Sequence, residues 1–157
     1  MNWNDVEKQI NIEVNFLKNN LDLSPFTQND AINCNDCLFR LISILIVSGK
    51  IKVEKVFVNN SFFGKENDSI TDQKRHGSHW HSNKMLSIKK YLKIHNLVTV
   101  DEKKLLYGRS DLYIAKKNIF IEIGTINLYK LYVNLLNMQD ARIIVIPSDN
   151  YILDFKL

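Results

Sequence analysis

Apolar residues recur at helical spacing in four stretches of the chain and at strand spacing between them. Val6, Ile10, Val14 and Leu17 predict a first helix, capped by Asp5 and running to about Asn19. Asn19 to Pro25 is a connection. Ile32, Leu38, Leu41, Ile42 and Leu45 predict a second helix, which starts at Thr27 or Asn29 and stops at Ser48-Gly49. Ile51 to Val58 is rich in β-formers and partly alternating, as in a strand. Residues 59–80 are polar and predict a long loop, a feature often tied to function in a small domain. A third helix is predicted over Ser82 to Ile94, with Met85, Ile88, Tyr91 and Leu92 packed and Lys84, Lys89, Lys90 and Lys93 in water.

The period shortens after His95-Asn96. Leu97 to Val100 predicts a short strand, and Leu105 to Tyr107 starts another. Leu112 and Ile114, then Ile119, Ile121 and Ile123, predict paired strands around Lys116-Lys117-Asn118. A fourth helix spans about Asn127 to Met138. Arg142 to Ile146 is a buried strand stopped by Pro147, and Tyr151 to Phe155 is a last strand. No internal repeat is visible. The order predicts an α/β fold, a small mixed twisted sheet flanked by helices.

The 157 residues fit one domain with a sizeable core, and 45% hydrophobic residues exclude wholesale disorder. The net charge of +4 divides unevenly: residues 1–74 carry −2 and residues 75–157 carry +6. A basic second half attracts polyanions, although a lysine-rich solvated face has the same composition. Cys34 and Cys37 have the spacing of half a zinc knuckle or of a redox pair. Their apolar helical setting favours buried thiols. No secretory signal opens the chain, and the apolar stretch Leu38 to Val47 is too short to cross a bilayer. The expectation is an intracellular protein with no membrane partner.

Asp111 and Glu122 stand 11 positions apart, on either side of the predicted hairpin. Cross-strand neighbours on one face lie about 5–8 Å apart, close enough for two carboxylates to share a divalent cation. Such an ion orients water for attack on a phosphodiester and offsets the charge that develops there. Glu122 sits within the apolar run Ile119-Phe120-Ile121-Glu122-Ile123-Gly124, where an unpaired charge is costly and a metal relieves the cost. The residues alone also fit a solvent-facing pair bridged to Arg109 or Lys103.

Gly108-Arg109-Ser110-Asp111-Leu112-Tyr113, the 11-residue step and Phe120-Ile121-Glu122-Ile123-Gly124 together resemble the PD-(D/E)XK nuclease superfamily. More narrowly they resemble the cap-snatching endonuclease domain at the N-terminus of the orthomyxovirus polymerase acidic subunit, PA. In that family a Pro-Asp-Leu-Tyr stretch precedes Phe-Ile-Glu-Ile-Gly at this interval; here Ser110 replaces the proline. The order of elements is similar over nearly the whole chain, with the specificity concentrated in residues 108–124.

The resemblance implies a metal site built from a helix histidine, a glutamate, the hairpin aspartate, the second-strand glutamate and its neighbour's carbonyl, with a helix lysine beside it. Asp111, Glu122 and the Ile123 carbonyl match three roles. Asp36 falls near the histidine's place and His79 near the first glutamate's, so acid and imidazole are exchanged. His76 and His81 are alternatives in the same stretch, and a His76/His79/His81 group also fits zinc. The lysine's place falls near Asn137, and Lys130, Lys90 or Lys93 would have to substitute.

The implied function is a Mn²⁺- or Mg²⁺-dependent RNA endonuclease, with Asp111, Glu122 and Lys130 as candidate catalytic residues. It would cleave single-stranded RNA, taking capped leaders from host transcripts to prime viral transcription. Residues 1–157 would then be one endonuclease-like domain, the N-terminal part of a larger viral polymerase subunit. That subunit would act with other viral polymerase subunits in the host nucleus and be carried in the virion. The missing lysine near Asn137 motivates an alternative, a catalytically degenerate nuclease fold that docks within the polymerase. A DNA-processing nuclease of the broader superfamily is a third reading.

Overall fold

The apolar runs of the second half form the centre of a six-stranded mixed sheet in the computed structural model, which describes Asn4, Lys8, Ile12 and residues 26–27, 35–59 and 78–157. Its strands are β2 (Lys52–Phe57), β3 (Thr99–Asp101), β4 (Leu112–Ile114), β5 (Ile119–Ile123), β7 (Arg142–Ile146) and β8 (Tyr151–Lys156), in the spatial order β2-β8-β7-β5-β4-β3. Only β5 and β7 run parallel, joined through helix α3 (Leu128–Asn137); the other neighbours are antiparallel. Two short strands, β1 (Phe26–Thr27) and β6 (Ile126–Asn127), pair parallel apart from it.

Every residue of β5 is buried, because both faces of the sheet are covered. Phe120 joins Ile143, Val145, Leu153 and Phe155 on one face, under α1 (Asn35–Val47) and α3. Ile119, Ile121 and Ile123 join Leu112, Ile114 and Ile146 on the other, under α2 (Ser78–Ile94). The strand period of two therefore turns Glu122 toward the α1/α3 face.

The hairpin forms around the expected turn. Leu112 faces Ile121, Tyr113 faces Phe120 and Ile114 faces Ile119. A 3₁₀ turn over Ala115–Lys117 closes it, with Asn118 in the left-handed region at φ 51°. Helix α3 starts where Asn127 caps it: its side-chain oxygen accepts hydrogen bonds from the Tyr129 and Lys130 N–H groups at 2.9 and 3.2 Å. On β7 and β8, Arg142 forks onto the carboxylate of Asp154, which is buried. The carboxylate holds the Arg142 pKa above its ordinary value.

Several expectations need correction. Thr27 belongs to β1 rather than to a helix start. Helix α2 begins at Ser78, earlier than Ser82, so the helix takes in the end of the polar stretch. The Leu105–Tyr107 segment is not a strand; an isolated bridge between Lys104 and Arg109 closes a loop there. Lys84 is not in water. It lies 3% exposed against Asp149, near the Trp80 ring, which ties α2 to the turn after β7. The first-helix expectation lies outside the described residues except at Lys8 and Ile12, which are helical and exposed. The two cysteine side chains also lie outside them.

Asp154 is 6% exposed in its side chain, so removal of its partner leaves a buried carboxylate without its fork. Arg142→Met is expected to lower unfolding free energy in urea at pH 7 by about 2 kcal/mol. An unchanged midpoint contradicts the bridge's role.

Candidate active site

Four elements meet at the C-terminal end of β5: the start of β4, the first turns of α2 and α3, and the loop before Asp111. The β4–β5 register, extended one residue, sets Asp111 opposite Glu122. The Asp111 side chain continues the ladder where strand pairing stops. Its Oδ2 accepts a hydrogen bond from the Ile123 N–H at 2.7 Å. In an extended strand the N–H and C=O of one residue point to the same side, so the Ile123 carbonyl leaves β5 toward Asp111. On the opposite side, Gly124 donates its N–H to the Ile146 carbonyl at 2.8 Å and turns the chain at φ 93°.

The other Asp111 oxygen, Oδ1, lies 3.2 Å from His81 Nε2. His81 reaches it from the first turns of α2. Asp111 is about a quarter exposed, so this part of the site opens to solvent.

Glu122 is 5% exposed. Lys130, from the first turn of α3, donates its ammonium to Glu122 Oε2 at 2.8 Å and lies 2.7 Å from Oε1. The second contact is out of line for a hydrogen bond, and Oε1 has no other hydrogen-bond partner. The same ammonium donates to the Arg109 carbonyl. Burial pushes the Glu122 pKa up to about 7; Lys130 opposes the shift through its charge and hydrogen bond, and the Asp111 charge adds to it. Desolvation wins although the pair is close.

The structure thus brings Asp111, Glu122, Ile123 and Lys130 together, with His81 against Asp111. His79 is exposed two positions earlier on the same helix and takes no part in the Asp111 contact. The two positions between His79 and His81 are about half a helical turn, which sets the two side chains on different faces of the helix. Asp36 lies in α1, but its side chain is outside the described residues, as is all of His76. Asn137 is exposed and donates to the Val133 carbonyl within its own helix. Lys90 and Lys93 are exposed on α2. The proposed surface bridges do not form: Arg109 pairs with Glu102, and Lys103 lies over the Tyr113 ring.

Among the described residues, no three His, Cys, Asp or Glu side chains gather as a metal-binding group. The donor chemistry nonetheless suits a hard or borderline divalent ion: two adjacent carboxylates, one with a buried oxygen that meets only the Lys130 ammonium, beside an imidazole. The ammonium of Lys130 currently holds the carboxylate that such an ion would share.

Sequence reasoning did not single out Asn134 or the Arg109 carbonyl. Asn134 had a readable signal, a polar residue on the apolar face formed by Leu128, Leu131 and Leu135. No family model, no curated protein and no solved structure matches this chain. Among the described residues no helix is long and apolar enough to cross a membrane.

The raised Glu122 pKa makes a signed prediction. Between about 4.5 and about 7 the folded state binds a proton that the unfolded state has released. Stability contributed by Glu122 is therefore complete at low pH and declines as pH rises through that window, by up to about 3 kcal/mol. Unfolding measured across this range should lose that slope in Glu122→Gln. An identical slope in the variant contradicts the assignment.

Proposed function

We propose that this protein is a divalent-metal-dependent RNA endonuclease of the cap-snatching type. The observation that carries the reading is the Asp111–Glu122 carboxylate pair at the end of β5 with Lys130 turned onto it. The resemblance over residues 108–124 supports the same reading. It extends to a role within a larger viral polymerase, working with its other subunits in the host nucleus and carried in the virion.

A Mn²⁺ or Mg²⁺ ion held by Asp111, Glu122, His81 and the Ile123 carbonyl would supply the charge that polarises a scissile phosphate and lowers the pKa of an attacking water. Asp111 is held for this task by the Ile123 N–H, which leaves Oδ1 facing His81 and solvent. Lys130 supplies a cation within reach of the same carboxylate. When it swings from Glu122 to a phosphate oxygen, it stabilises negative charge in the transition state. This role corresponds to that of the family's helix lysine, supplied from the start of α3 instead of from Asn137. The basic second half of the chain draws RNA toward the site.

One observation favours the rival reading of a polymerase-docking domain. The Lys130–Glu122 pair neutralises the buried carboxylate without an ion. Such a pair suits a fold that has kept its shape and given up its metal.

Cleavage of single-stranded RNA in Mn²⁺, with single-stranded DNA as competitor, separates these readings. Asp111→Ala and Glu122→Ala should each abolish cleavage, and Lys130→Met should reduce kcat by about 10²-fold. Cleavage that survives both alanine substitutions rejects the mechanism. A folded domain that neither binds Mn²⁺ nor cuts RNA supports the docking reading, and preferential cutting of DNA supports the broader nuclease reading.

A further inference from the structure

We infer that Asn134 and Gly108 are positioning residues for Lys130, an inference that rests on reading Lys130 as the cation of the proposed site. Asn134 is fully buried on the face of α3 that carries Leu131 and Leu135. Its Oδ1 accepts from the Tyr107 N–H at 2.8 Å, and its Nδ2 donates to the Tyr107 carbonyl at 2.8 Å. A side-chain amide has one acceptor and two donors, so it pairs with a peptide as a neighbouring strand would. The second Nδ2 bond goes to the Lys130 carbonyl at 2.7 Å, which joins the clamp to the turn of helix bearing the lysine.

The next two loop residues complete the device. Gly108 adopts φ +81°, and a Cβ there would stand 3.3 Å from Lys130 Cε and 3.5 Å from Cδ. The lysine stem therefore lies along the bare glycine. Arg109 then presents its carbonyl to the ammonium. Tyr107 is held by Asn134, Gly108 supports the stem, and Arg109 receives the charged end. The Leu105 N–H closes the loop onto the Gly108 carbonyl at 3.0 Å, and the Tyr107 ring meets Tyr129 edge-on. A free lysine has many rotamers; this loop narrows them and carries the stem toward Glu122.

A loop tie that served stability alone would leave the ammonium indifferent to these residues. The decisive readout is thus the Lys130 ammonium itself, seen as a slowly exchanging ¹H–¹⁵Nζ signal in the ¹⁵N-lysine-labelled chain and assigned by its absence in Lys130→Met. Asn134→Leu, and separately Gly108→Ala, should abolish or shift that signal while the backbone amides of β5, β7 and β8 stay in place. Gly108→Ala lies outside the apolar core and keeps the test open should Asn134→Leu not fold. In RNA cleavage, Asn134→Leu should lower kcat by about 10²-fold, with KM little changed and no further loss in the Lys130→Met background. An unchanged ammonium signal in either folded variant, no Lys130 signal in the parent chain, or additive losses in the double variant overturns the inference. A parent chain that shows the ammonium pattern but cuts no RNA upholds the positioning role and rejects the nuclease reading instead.

Discussion

Glu122 occupies a position where a carboxylate is costly. It sits within a run of buried strand residues, on a sheet covered on both faces, and its neighbours in sequence are isoleucines. The dense packing that gives β5 its central place raises the pKa of this one polar residue to about 7. Any structure that keeps Glu122 ionised must deliver a positive charge to it. Lys130 does so here, and the local geometry follows from that need: the Asn127 cap that starts α3, the loop that carries Gly108, and the turn at Gly124.

Asp111 solves a different problem. Strand β4 ends before β5 does, so the Ile123 N–H would lack a ladder partner. The Asp111 carboxylate supplies the missing acceptor and is fixed beside Glu122 as a result. One oxygen is used structurally, and the other faces His81 across the end of the sheet. Two acids are thereby held in different environments. Glu122 is dry and paired, while Asp111 is partly wet and hydrogen-bonded. That asymmetry lets one carboxylate respond to a neighbouring cation while the other stays anchored.

The sheet was largely legible because its signals are local. Ile119 to Ile123 and Arg142 to Ile146 are short apolar runs bounded by turn residues, and the 11-residue step set Asp111 and Glu122 near each other across the hairpin without fixing whether they stand opposite or diagonal. The lysine of α3 was legible only as an alternative to Asn137. Its reach depends on a loop that looked like a strand at Leu105 to Tyr107 and is instead closed by the Lys104–Arg109 bridge. His79 and His81 share a polar stretch in which helical phase decides which one meets Asp111. The start of α2 at Ser78 fixes that phase, and no apolar repeat announces it. The burial of Lys84 was hidden for a similar reason, since its partner Asp149 lies 65 positions away in sequence.

Asp111 and Glu122 lie together beside Lys130, and the proposed function requires that a divalent ion share this pair of carboxylates. Anomalous scattering from crystals of the full chain soaked in Mn²⁺ tests it most directly. The expected result is a manganese peak against Asp111, Glu122 and the Ile123 carbonyl, with His81 beside it and the Lys130 ammonium displaced from Glu122. Manganese bound only elsewhere, with the Lys130–Glu122 pair intact, would contradict it.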